Sequence, residues 1–144
     1  MKRVFHTILP ILNYASEIWG FDEWPKLETL HLKACKYALG VRTNTTTDAV
    51  YAELGRMSLQ CHRHINILKF LSRLSSLEPE RYANKAFIML VDDADSGQSN
   101  WISKSRNLQL FYDIQNSDSH SSTKLKVKKH FEIQLLVKLN EHIT

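Results

Sequence analysis

Cys61, His62 and His64 put a thiol and two imidazoles within four consecutive positions, the ligand types of a zinc site. A structural zinc takes four such ligands in a closed tetrahedron. Neighbouring residues of a helix point about 100° apart, so Cys61 and His62 do not grip one ion together. No Cys-x-x-Cys or His-x-x-x-His pair stands elsewhere to complete the set. Asp92 and Asp93, with Asp95 beyond, have the form of the carboxylates used in two-metal chemistry. That chemistry needs several carboxylates converging on ions roughly 4 Å apart, and no second acidic run is placed to supply them. The aspartates are expected at a helix end leading into a flexible loop, as solvated charge. Serine, histidine and aspartate all occur, but the four glycines form neither a nucleophile elbow nor a phosphate-cradling loop. No catalytic residue, metal or cofactor is expected, and the chain is not expected to be an autonomous enzyme.

The lysines and arginines are the more informative set. On a helix over about residues 25–39, Lys26, Thr29, Lys33 and Lys36 share one face, opposite Leu27, Leu30, Ala34 and Ala38. On a second helix, from about Ser58 to Leu77, His62, Asn66, Lys69 and Arg73 follow i, i+4, i+7, i+11 opposite Leu59, Ile67, Phe70, Leu71 and Leu74. Arg42 lies in the loop after the first helix, and Arg56 and Arg63 bracket the turn that opens the second. Cations repeated along one helix face can follow a phosphate backbone without reading bases. The same pattern also serves as the solvated face of any amphipathic helix. The candidate nucleic-acid-binding residues are therefore Lys33, Lys36, Arg42, Arg56, Arg63, Lys69 and Arg73.

These side chains need helices to hold them. Residues 4–19 are apolar on nearly every side, which predicts a buried helix that Pro10 kinks or restarts. Asp22-Glu23-Trp24-Pro25 is a helix start and Gly40 a left-handed stop. Thr47 can cap a short helix that runs to Leu54 before Gly55. Residues 79–92 predict a helix with Tyr82, Ala86, Met89 and Leu90 inward, and residues 101–115 predict another. The Ser- and Asp-rich stretch 116–123 reads as a linker or mobile loop. Val127, Phe131, Leu135 and Leu139 are four apart and make the closing segment a helix, although Lys124-Leu-Lys-Val-Lys128 alternates like a strand. An all-α fold follows, an irregular bundle of about six or seven helices in a single domain over 1–144.

The bulk numbers agree. A chain of 144 residues that is 43% hydrophobic can bury one core. Its net charge of +4 lies wholly in the first half, where residues 1–76 carry ten Lys/Arg against six Asp/Glu and residues 77–144 carry nine against nine. That half is where a polyanion is expected. Cys35 and Cys61 are too few for a disulfide framework and read as small core residues, which fits a reducing, intracellular compartment. His6, Pro10 and Asn13 interrupt the apolar start, so neither a signal peptide nor a membrane anchor is expected.

Three linked stretches carry a family resemblance: Ile8-Leu-Pro-Ile-Leu-Asn-Tyr-Ala-Ser-Glu-Ile-Trp-Gly20, His31-Leu-Lys-Ala-Cys-Lys-Tyr-Ala-Leu-Gly-Val-Arg42 and Val50-Tyr-Ala-Glu-Leu-Gly-Arg56. In this order the chain resembles the region that follows the polymerase core in non-LTR (LINE-type) retrotransposon reverse transcriptases. Residues 5–75 carry the match, and 78–144 match loosely through Trp101 and the closing helix. The resemblance implies a helical thumb and post-polymerase segment that packs beside the palm and helps hold template RNA with nascent DNA. It implies a nuclear site of action as well. The family's polymerase aspartates and endonuclease lie upstream of this region, and Asp92 and Asp93 are not their counterpart. A truncated element copy, a fragment and a host protein derived from such an element are the three origins this implies. The favoured role is sequence-tolerant binding of RNA or DNA backbone. The alternative is a structural remnant whose helix 4–19 once docked on a palm and now drives self-association, or one without selected function.

Overall fold

The computed structural model describes residues 7, 9–116 and 118–141, with 139 and 140 described by backbone alone. Expectations for Val4, Phe5, Ile8 and the Leu139 side chain lie outside the described residues. The fold is all-α, without a strand among the described residues. After helical backbone at 9–12 come α1 (Ser16–Trp19), α2 (Pro25–Leu39), α3 (Thr47–Leu54), α4 (Leu59–Ser75), α5 (Tyr82–Asp95), α6 (Trp101–Phe111) and α7 (His120–Glu141). No helix among the described residues is long and apolar enough to cross a membrane.

Local chemistry sets most of the ends. Pro25 opens α2 at a position that needs no amide donor, and Gly40 and Gly55 close α2 and α3 at φ 68° and 57°, where a Cβ is strained. The Ser58 hydroxyl accepts from the Cys61 amide and caps α4. Thr46, one residue before the expected Thr47, is the N-cap of α3, and neither threonine makes a side-chain cap bond there. Asn100 and Ser103 form a reciprocal capping box on α6.

Helix α4 is the axis of the bundle, with α7, α1, α6, α5 and α2 packed around it. Its residues Cys61, Ile65 and Leu68 form one core cluster with Tyr112 and Val127. Cys35, Val50 and Tyr51 form a second cluster, with Leu9 and Leu32 against it, which joins α2 to α3. Trp101 ties α6 to α1 by donating its indole N–H to the Glu17 carbonyl at 2.8 Å, and its ring meets Phe21 and Phe70 edge-on.

Several faces differ from the sequence pattern. The break in the first apolar segment falls at 13–15, not at Pro10, and Ala15 takes the left-handed conformation at φ 52°. The segment is not buried throughout, since Ile11, Tyr14 and Ile18 are 68%, 81% and 56% exposed. On α2 the innermost residues are His31 and Cys35, while Leu30 is exposed. The Tyr51 hydroxyl lies 3.4 Å from His31 Nδ1 and the two rings stack, so a polar side chain takes the inward stripe.

Helix α5 is turned in the same way. Tyr82, Ala86, Met89 and Leu90 are exposed, and Asn84 is buried, with Phe87 and Val91 half-buried. Asn84 Nδ2 donates to the Leu77 carbonyl at 3.0 Å and reaches that of Leu74, in the segment where α4 ends. Asp92 to Asp95 belong to the last turn of α5 rather than to a loop. Helix α6 stops at Phe111, short of the expected 115, and Asp113 follows at φ 51°.

Gly20 marks the closest approach of α1 to α4. A Cβ there would collide with the Ser16 carbonyl oxygen and stand 2.9 Å from Arg63 Cβ, with no side-chain tip free to yield. Gly20→Ala is expected to lower stability by about 2 kcal/mol, the scale of overpacking in a closed site. Urea unfolding of the two proteins checks this, and equal midpoints would refute it.

Candidate nucleic-acid interface

The seven predicted cations are not equivalent. Lys33, Arg42 and Arg73 are exposed, and Lys36, Arg56 and Lys69 are half-buried. Lys36 Nζ donates to the Thr43 carbonyl at 2.6 Å and so helps fix the loop after α2. Arg63 is the correction: its side chain has no exposed surface, so it cannot lie along a phosphate backbone. Arg63 falls on the side of α4 that meets α1, where its guanidinium stands 5.7 Å from the Trp19 ring and its Nη2 stands 3.6 Å from Glu28 Oε1. Burial holds it below its ordinary range, while Glu28 and Glu23 oppose that shift.

Glu28 is therefore a hub. One carboxylate oxygen accepts from the Gln60 amide at 2.8 Å and the other from the Leu59 amide at 3.1 Å, which satisfies two of the open donors that begin α4. The same carboxylate, after burial, helps push the Tyr51 phenol upward.

The stripe His62, Asn66, Lys69 and Arg73 does share the outer strip of α4, though only Arg73 is fully exposed. Asn66 is committed to structure, donating to Ser16 Oγ at 3.0 Å. His62 stands among cations from two other elements. Burial lowers its pKa first, and Lys128, Arg56 and Lys124 then lower it further. Arg56 comes from the turn after α3, and Lys124 and Lys128 come from successive turns of one face of α7. The sequence reading passes over both lysines because the excess positive charge lies in the first half of the chain. Their i, i+4 spacing was the signal available. Lys126, between them, is held elsewhere by the Asp118 carboxylate at 2.7 Å and the Asp113 carbonyl at 2.9 Å.

Beside this cation group opens a cleft of about 720 Å³ between α2, α3, the start of α4 and the later turns of α7. Trp24 and Phe131 supply ring surface to it. Its charged lining is Glu23, Glu28, Asp48 and Glu132 against Arg56 and Lys138, with the buried Arg63 behind Glu28. Arg56 belongs to both the cleft and the cation group.

The groups that could do covalent or metal chemistry are engaged otherwise. Burial pushes the Cys61 thiol up to about 12, and its Sγ lies 3.2 Å from Met57 Sδ; burial raises the Cys35 thiol as well. His64 Nδ1 lies 2.6 Å from the Tyr112 hydroxyl, and Asp95 pairs with Arg106. No group of three His, Cys, Asp or Glu side chains among the described residues is placed to hold a metal. Comparison with protein-family models, with curated proteins and with solved structures finds no match to this chain.

Proposed function

We propose that this chain is a non-catalytic helical module, akin to the segment that follows the polymerase core of non-LTR retrotransposon reverse transcriptases, and that it binds RNA or DNA through the phosphate backbone. The observation that carries the reading is that Arg56, Lys124 and Lys128 lie within electrostatic reach of His62, with Lys69 and Arg73 on the same face of α4. Cations drawn from three elements onto one surface suit a polyanion, and none of them is arranged to read bases. A phosphate arriving there would also favour the protonated form of His62, opposing the burial and cation repulsion that lower its pKa. A palm domain and a nuclear setting would follow from the same parentage.

Fluorescence anisotropy against RNA, duplex DNA and an RNA–DNA hybrid over a salt series tests this. Affinity is expected to fall linearly in log–log form with a slope near −3, about three to four phosphates for B-DNA. Lys69→Glu, Arg73→Glu, Lys124→Glu and Lys128→Glu together should abolish binding. Unchanged binding by that variant, or no binding at low salt by the parent protein, would overturn the reading.

One observation favours a second reading, docking to a protein. Ile11, Tyr14 and Ile18 turn out to solvent, with Trp24 nearby in sequence at 48% exposure. Self-association is its simplest form, and a clean monomer by light scattering at micromolar concentration would count against that form.

A further inference from the structure

The cleft beside Arg56 has two properties that a backbone-binding surface does not need. It is lined by aromatic rings, and Glu23, Glu28, Asp48 and Glu132 face only two cations with exposed surface, Arg56 and Lys138. A phosphate entering it would meet Glu23, Glu28, Asp48 and Glu132, so the anionic part of a ligand stays outside, at Arg56 and the adjoining cations. What suits the interior is flat, uncharged and rich in N–H donors.

We propose, building on the backbone-binding reading above, that the cleft receives an unpaired, amino-bearing nucleobase, so that the chain prefers single-stranded adenine, cytosine or guanine tracts to duplex. Trp24 stands at the cleft 48% exposed; its ring meets Trp19 edge-on at 5.8 Å, and the exposed part of the indole remains open to a base. Phe131 of α7, half-buried, supplies ring surface from a further helix. The carboxylates accept hydrogen bonds from exocyclic amines, a donor that uracil and thymine lack. The volume, about 720 Å³, falls in the range of pockets that take small ring systems. Stacking in such a place tolerates sequence, because every base has a π face, and the carboxylates add the preference for an amine.

The test is anisotropy at one fixed salt concentration with equal-length oligo-A, oligo-C and oligo-U RNA and an RNA duplex, on the parent protein, Trp24→Ala and Trp24→Tyr. The parent is expected to bind oligo-A and oligo-C about tenfold tighter than duplex and several-fold tighter than oligo-U. Trp24→Ala should lower single-strand affinity about tenfold while leaving duplex affinity and its salt slope unchanged. Trp24→Tyr should restore most of the loss, with circular dichroism melting showing that both variants fold. Equal affinity for strand and duplex, or a Trp24→Ala loss shared by both, overturns the cleft as a base site while backbone binding stands. Absence of binding to every nucleic acid overturns both.

Discussion

Glu28→Ala is expected to destabilise the protein by about 3–5 kcal/mol, the cost of leaving a buried cation without its counter-charge. Glu28 is the acidic side chain paired with Arg63, whose side chain has no exposed surface, and Arg63 Nε, Nη1 and Nη2 make no hydrogen bond of their own. The same substitution uncaps α4 at Leu59 and Gln60. The reverse change is milder. Arg63→Met keeps the aliphatic stem that packs on Gly20, and the Glu28 carboxylate it leaves behind is 27% exposed and still holds two amides. It is expected to cost about 1 kcal/mol, because a well-packed apolar residue often replaces a buried ion at little loss. The double variant should then be more stable than Glu28→Ala alone, since no orphaned cation remains. Urea unfolding of the four proteins decides it. Equal costs for the two single variants would show that the ion pair contributes through its capping bonds or its packing, not through charge.

That asymmetry also explains why Arg63 was misread as a surface cation. Its partner lies on a different helix, and nothing in the spacing around Arg63 announces Glu28. The same limit applies wherever a buried polar group answers a distant one. His31 is inward because Tyr51 meets it, and Asn84 is inward because it bonds carbonyls at and just beyond the end of α4. A hydropathy period assigns both to solvent and rotates α2 and α5 accordingly. The features that were legible are the ones whose cause is local. Gly40 and Gly55 stop their helices through their own backbone, Ser58 caps α4 three residues from its donor, and Val127 and Phe131 repeat at helical spacing. For the candidate interface, the outer strip of α4 was visible as a period, whereas its meeting with Lys124 and Lys128 depends on how α7 crosses α4.

Acid should unfold this protein through two histidines. His31 and His64 are both held neutral, their pKa values lowered to about 4 by burial, with His62 and Arg56 adding to the effect at His31 and Arg63 at His64. Each ring nitrogen Nδ1 faces a tyrosine hydroxyl, Tyr51 for His31 and Tyr112 for His64. Burial pushes both phenols upward, so these tyrosines stay protonated throughout the relevant range. In the unfolded chain the histidines take up protons near pH 6.5, and in the folded chain only near pH 4. Between those values the unfolded state binds more protons, so stability is complete above pH 6.5 and falls as pH drops toward 4. At pH 5 the loss is about 2 kcal/mol per histidine, or about 4 for the pair, a large share of the stability of an ordinary domain. His62, lowered in the same direction, adds to it. Unfolding free energies at pH 7.5 and pH 5 should therefore differ by about 4 kcal/mol in the parent and by about 2 in either His31→Gln or His64→Gln. The comparison uses the difference between two pH values, which cancels the packing cost of each substitution. If the variants keep the full parental difference, the acid response does not come from these histidines.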